Sequence, residues 1–278
     1  MAGIQVETDG WLSAYRVGEG TYRISDNGQD NIYLLAGEEK ALLIDTGWGV
    51  GKLMDLVERI TRLPLIVVNT HGHCDHALGN DQFNHVILGE SDARRLTIHD
   101  VGKKREFIRR GKLLIHNESM PLFGQWGCPA LEGIEYIEDG MELDLGSRTV
   151  TAHLTPGHTM GSVCYVDKET RTLFAGDSYV PLAYWGPMWL HLDESGTLLE
   201  YHEAMSRLLS SGGFDSILPG HGECGPLPAR QLEELLSGIR AVLQGSLEGV
   251  FEKTMVGSGL RCDWKDTGII YKPGDARR

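Results

Sequence analysis

An apolar run rich in β-branched residues, LPLIVVNT (63–70), passes without a break into T-H-G-H-C-D-H (70–76). Such a run reads as a strand buried on both faces. The polar cluster then falls at its carboxyl end, where α/β folds place ligand sites. In an extended loop His71 and His73 point the same way, because side chains alternate with period two. The turn that follows brings Asp75 and His76 round to a neighbouring point. Three imidazoles and a carboxylate in six positions crowd one another unfavourably unless a cation sits among them, and neutral imidazole and carboxylate are the groups that zinc and similar ions bind. A lone histidine would read as a solvated side chain; this cluster reads as metal ligands.

The rest of the chain supplies a frame for that loop. WLSAYRV, TYRIS, NIYLLAG and KALLIDTG, within residues 11–47, are short apolar runs separated by Gly18–Gly20, Asn27–Gly28 and Gly37–Glu39, the pattern of a strand meander. From Gly51 to Thr61, Leu53, Leu56, Val57 and Ile60 recur at helical spacing. A second helix is predicted over 91–110, locally basic at Lys103, Lys104, Arg105, Arg109 and Arg110, and residues 111–130 read as irregular, with Pro121, Gly124, Gly127 and Pro129. Strands return between 134 and 176 (IEYIE, MELDL, RTVTAHLT, GSVCYVD, RTLFAG), followed by a loop of large side chains, a helix over 196–211, the strand FDSILPG and a helix over 228–248. The two halves echo each other on either side of residue 133. Each is too thin to bury its own sheet, so residues 1–278 are expected to form a single layered domain, with a C-terminal helix and tail over 226–278.

Three further fragments each place a ligand-type residue at a strand end: LTPGHTMGS presents His158, LFAGDS presents Asp177 and ILPGHGEC presents His221. The glycines beside them permit tight turns. Singly these fragments say little; in this order behind the first cluster they say much.

With LLIDTG ahead of them, HGHCDH, PGHTMGS, AGDS and PGHG resemble the five ordered motifs of the metallo-β-lactamase superfamily, over about residues 30–225. The resemblance implies an α/β fold: an αββα sandwich of two central mixed sheets flanked by helices. It also implies a ligand set. His71, His73 and His158 would hold one divalent ion, Asp75, His76 and His221 a second, and Asp177 would bridge both. Asp45 of LLIDTG would orient a ligand imidazole without touching metal. Zinc is the ion implied first, with iron or manganese as alternatives. The retained Asp177 and His76 set the chain apart from secreted β-lactam-degrading members, which usually lack the bridging aspartate. It is more similar to the glyoxalase II, lactonase and phosphodiesterase-like branches, although the helical C-terminal domain of glyoxalase II is not recognisable in 226–278.

The implied chemistry is hydrolysis of an ester, thioester, lactone or similar acyl bond of a small molecule by a bridging hydroxide. Asp75 and Asp177 are the candidate catalytic carboxylates, Asp75 aligning the nucleophile or shuttling its proton. A persulfide dioxygenase-like oxidoreductase on a single iron and a small-molecule phosphodiesterase are the rival classes. The GxSxG signature of serine hydrolases is absent.

Tyr179, Tyr184, Trp185, Trp189 and His191, with Met188, crowd the loop after Asp177 and are expected to wall an apolar substrate pocket; the same loop makes a homodimer plausible. Cys74, inside the metal motif, and Cys224 are expected to be packing residues. The net charge of −13 argues against a nucleic-acid partner, and no apolar run reaches 18 residues, so no membrane span is predicted. Five scattered cysteines, and a start MAGIQVETDG without a secretory pattern, fit a cytoplasmic enzyme.

Overall fold

The computed structural model describes residues 3–94, 96, 132–223, 225–254 and 256–275. Most of the basic segment predicted as a helix, Lys103 to Arg110 included, together with the irregular stretch 111–130 and Cys224, lies outside the described residues. The chain forms two compact units, Met1–Ile137 with Asp144–Thr149 and Glu138–Leu143 with Val150–Arg278.

The first unit is built on an eight-stranded sheet whose strands lie in sequence order, β1 (Ile4–Thr8), β2 (Leu12–Gly18), β3 (Thr21–Asp26), β4 (Asp30–Ala36), β5 (Ala41–Ile44), β6 (Leu65–Val68), β7 (His85–Leu88) and β8 (Gly133–Tyr136). Pairing is antiparallel from β1 to β5 and parallel from β5 to β8. The change of direction is made by helix α1 (Leu53–Ile60), which links β5 to β6. Its Leu53, Leu56 and Val57 are buried, at the predicted spacing, against Ile24, Ile32, Leu34 and Leu43 of the meander. Side chains buried in this way contribute about 1.5–3 kcal/mol each. Two short helices follow, α2 (Cys74–Ala77) and α3 (Glu90–Ala93). Parallel β5 and β6 end side by side, Ile44 opposite Val68, so the residues after both strands emerge at one edge.

The second unit holds a six-stranded sheet in the order β15-β14-β12-β11-β10-β9, from β9 (Glu142–Asp144), β10 (Thr149–Leu154), β11 (Val163–Asp167), β12 (Thr172–Gly176), β14 (Ser216–Pro219) and β15 (Leu227–Pro228). It too is mixed: β12 and β14 run parallel, their neighbours antiparallel. Helices α4 (Leu198–Ser211) and α5 (Arg230–Leu243) bury Leu198, Tyr201, Met205, Leu232, Leu236 and Ile239 in its core. Helix α4 starts on a reciprocal cap: Thr197 Oγ1 accepts from Glu200 N–H, and Glu200 Oε2 accepts from Thr197 N–H.

Mixed sheets with flanking helices are the α/β class the sequence predicts. The tail is richer than expected. Beyond α5, β16 (Val250–Lys253), β17 (Ser258–Trp264) and β18 (Thr267–Tyr271) form a small sheet with β13 (Met188–Leu190), in the order β13-β18-β17-β16.

Candidate metal centre

In the first unit the site starts from Asp45, directly after β5. Its backbone has φ = +67°, a conformation that costs a non-glycine residue on the order of 1 kcal/mol or more and persists only where the surroundings impose it. The carboxylate is buried and saturated with donors: Oδ1 accepts from Thr70 N–H at 2.7 Å, and Oδ2 from the Thr70 hydroxyl at 2.8 Å. Nδ1 of His76 stands 2.9 Å from the same Oδ2. An ionised carboxylate only accepts, so His76 carries its proton on Nδ1, and Nε2 is left as the lone-pair nitrogen.

The same carboxylate sets His71 at one remove. Its Nδ1 lies 3.1 Å from Thr70 Oγ1. That hydroxyl spends its proton on Asp45 and so accepts from His71, which leaves His71 Nε2 basic as well. Nε2 of His71 faces Nδ1 of His73 at 3.0 Å. Two imidazole nitrogens on one tetrahedral ion, each at about 2.0–2.1 Å, stand about 3.3 Å apart, so this pair fits a shared cation closely. Asp75 Oδ2 lies 3.9 Å from His76 Nε2.

The loop's backbone is pinned as firmly. The His76 carbonyl accepts from Thr46 N–H at 2.9 Å and from Asn69 Nδ2 at 3.0 Å, and Asn80 joins Thr46 to Asn69 through 2.8 and 2.7 Å hydrogen bonds. Gly72 N–H donates to buried Asp92 of α3 at 2.7 Å. Thr70, Asn69, Asn80 and Asp92 carry no ligand pattern, and the sequence reading gave them no role; only their nearness to the His cluster hinted at one. Cys74 is partly buried, its thiol pushed up to about 12 by desolvation, in keeping with a packing residue.

In the second unit the geometry follows from register. Gly176 of β12 pairs with Pro219 of parallel β14, so Asp177 and His221 leave adjacent strand ends together. Asp177 Oδ2 lies 3.2 Å from Nε2 of His221 and 3.5 Å from Nε2 of His158. The Nδ1–H of His158 donates to the Trp189 carbonyl at 2.8 Å, which makes its Nε2 an acceptor facing another acceptor. Two such atoms this close call for a cation or an added proton between them. Both units thus present His and Asp side chains of the kind that could hold a metal ion.

The aromatic loop splits between two fates. Tyr179 is fully buried, and its hydroxyl donates to Gln231 of α5 at 2.8 Å. His191 is also buried, bonded through Nε2 to Thr254 Oγ1 at 2.9 Å, and burial lowers its basicity. Trp189 stands against it edge-on and steers His158 through its carbonyl. Tyr184 and Trp185 are exposed, and Trp185 lies flat on His221.

Comparison with known proteins identifies the family. Residues 25–180, more than half of the chain, match the family model of the metallo-β-lactamase superfamily. The chain belongs to that superfamily, and it is a metallo-hydrolase with the superfamily's fold. Among curated proteins it is 27% identical over 230 residues to the human acyl-coenzyme A thioesterase MBLAC2, covering 76% of this chain and 81% of that protein. Among solved structures it is similar to the metallo-β-lactamase family protein TTHA1429 of Thermus thermophilus, with a TM-score of 0.56, 20% identity and coverage of 84% and 83%. It is also similar to TTHA1623, solved in a di-iron-bound form, with a TM-score of 0.53, 25% identity and coverage of 74% and 92%. Among the described residues no helix is long and apolar enough to cross a membrane.

Proposed function

We propose that the chain hydrolyses acyl thioesters of small molecules with two divalent ions as its cofactors. In this reading His71, His73 and His158 hold one ion, Asp75, His76 and His221 the other, and Asp177 both. The observation that carries it is the shared use of Asp177 Oδ2 by His158 and His221, in a superfamily member whose motif order is complete. The thioester class is supported by the likeness to the human acyl-coenzyme A thioesterase; ester and lactone substrates share the same electrophile.

Bound divalent ions would supply a nucleophile at neutral pH and polarise the acyl carbonyl. The chain's own contribution is to fix which nitrogen of each imidazole is basic. Asp45 does this for His76 directly and for His71 through Thr70, and the Trp189 carbonyl does it for His158. Asp75 is the proposed proton acceptor on the nucleophile side. Exposed Tyr184 and Trp185 offer apolar surface beside His221 for the acyl portion.

Zinc is the proposed ion, and the di-iron neighbour makes iron the alternative. The unbridged thiols of Cys74, Cys164 and Cys262 are consistent with a reducing compartment such as the cytoplasm.

The deciding experiment pairs metal analysis of the purified protein with a panel of acyl-CoA thioesters, lactones, β-lactams and phosphodiesters. Thioester turnover with two ions per chain is the expected result. One iron per chain with oxygen uptake on a persulfide would replace the hydrolase with an oxidoreductase, and turnover of phosphodiesters alone would replace the substrate class.

A further inference from the structure

The turn after Asp177 folds back over the loop that carries His221. The N–H groups of Tyr184 and Trp185 both donate to the Pro181 carbonyl, at 3.0 and 2.9 Å. This tight turn lays the Trp185 indole on the His221 imidazole, with ring centroids 4.2 Å apart and planes 2° from parallel. Gly222 makes the approach feasible. Its φ of +89° is left-handed, and a Cβ there would stand 3.0 Å from Tyr184 Cβ and 3.4 Å from Pro181 Cγ. The residue after His221 therefore has no side chain at the point where the turn has to sit.

Core packing does not account for this placement. Trp185 is 45% exposed, whereas Tyr179, six residues earlier in the same loop, is wholly in the core. A large apolar ring left half in water normally spends its covered face on something specific. Here the indole lies flat on an imidazole. His76, His71 and His158 are steered at Nδ1 by Asp45, Thr70 and the Trp189 carbonyl; at His221 the plane of the ring itself is gripped. An imidazole that gives its lone pair to a cation gains positive character, and the face of an indole attracts positive charge better than that of a phenyl ring.

We propose that Trp185 is a positioning residue: its indole fixes the plane of His221, aims Nε2 at Asp177 Oδ2, and so strengthens the hold of these two side chains on a metal ion. The inference rests on the metal site proposed above and gives Trp185, besides the apolar surface it offers there, the task of holding a ligand ring without touching the ion.

Zinc affinity of the full chain, measured by competition with a chromophoric chelator, tests it without reference to turnover. The variants are Trp185→Phe, Trp185→Leu and Trp185→Ala, each checked for folding by circular dichroism. The half-exposed position makes all three compatible with a folded chain. One of two bound zinc ions should be held about 10–100-fold more weakly in Trp185→Leu and Trp185→Ala, the usual effect of losing a partner that orients a ligand. Trp185→Phe should recover part of the loss, because a flat ring returns where a branched chain of fair volume does not. Addition of zinc should also shift the indole N–H resonance that Trp185→Phe removes. Equal affinity in the parent and Trp185→Leu overturns the positioning role while leaving the metal site intact. A parent chain that takes up no divalent ion overturns the metal site, and this inference with it.

Discussion

Oδ2 of Asp45 stands 2.9 Å from Nδ1 of His76 while both oxygens of the same carboxylate hold Thr70. One side chain in a left-handed backbone conformation thus decides the tautomer of two histidines, one by contact and one through a hydroxyl. Asp45→Asn keeps the shape but brings an amide that donates where only acceptance serves. The expected outcome is a loss of about 10–100-fold in zinc affinity with the fold retained. Chelator competition and far-UV circular dichroism check it; unchanged affinity would show that His76 does not need this carboxylate.

On the proposed ligand assignment His73→Ala removes a donor atom and Asp177→Asn removes the negative charge shared by His158 and His221, so their effect should exceed that of any orienting partner. Turnover should fall by more than roughly 100-fold in each, the upper end of what an outer partner costs. Prolonged dialysis against a chelator should abolish turnover in the parent, and added zinc should restore it. The assay is release of free thiol from an acyl-CoA. Survival of turnover in either variant would remove that residue from the site.

Asp26 gives a pH dependence that belongs to folding. It is buried at the end of β3, where it accepts from Trp11 Nε1 and from Trp48 N–H, and desolvation raises its pKa from 3.8 to about 6. The folded chain therefore holds this proton more tightly than the unfolded chain does. Its contribution to stability is complete below pH 3.8 and is lost as pH rises through about 6. The loss is on the order of 3 kcal/mol by pH 7. Urea unfolding between pH 4 and pH 7 should show this slope in the parent, flattened in Asp26→Asn. Parallel curves for the two chains would mean that Asp26 titrates normally.

The reciprocal cap at the start of α4 yields a prediction free of metal. Thr197→Ala removes the acceptor for Glu200 N–H and should destabilise the chain by about 1 kcal/mol. Urea titration measures the change, and zinc affinity should be the same as in the parent.

The strands that bear the donors were legible because burial on both faces leaves continuous apolar runs, as in LIVV of β6 and TLFAG of β12. Their ends were legible because a strand that stops at a site stops on Gly, Asp or His. Strands β16 to β18 were not read: Val250 and Phe251 are exposed and Gly259 interrupts β17, so neither alternation nor a buried run stands out. The hairpin Trp264–Thr267, with Lys265 at φ = +54°, was the one available signal. The supporting shell was hidden for another reason. Thr70, Asn80 and Asp92 act through hydrogen bonds to Asp45, to Thr46 and Asn69, and to Gly72, partners that for the most part lie far away in sequence, and a lone polar residue does not announce its partner. The full burial of Tyr179 was not legible either, because adjacency to Asp177 in sequence does not say which way the chain turns next.

The parallel register of β12 and β14 has one more consequence. Asp177 and His221 are brought together by backbone pairing at Gly176 and Pro219, while the stretch between them, residues 178–220, holds β13 and α4 in the core and leaves only its exposed part open to change. That stretch includes the turn bearing Tyr184 and Trp185. Evolution or a protein engineer can vary the exposed rim of that turn while the backbones of Asp177 and His221 stay where the sheet puts them, provided the ring that lies on His221 is kept. The sheet register is thus the part of the site least open to change, and the exposed rim of the turn the part most so.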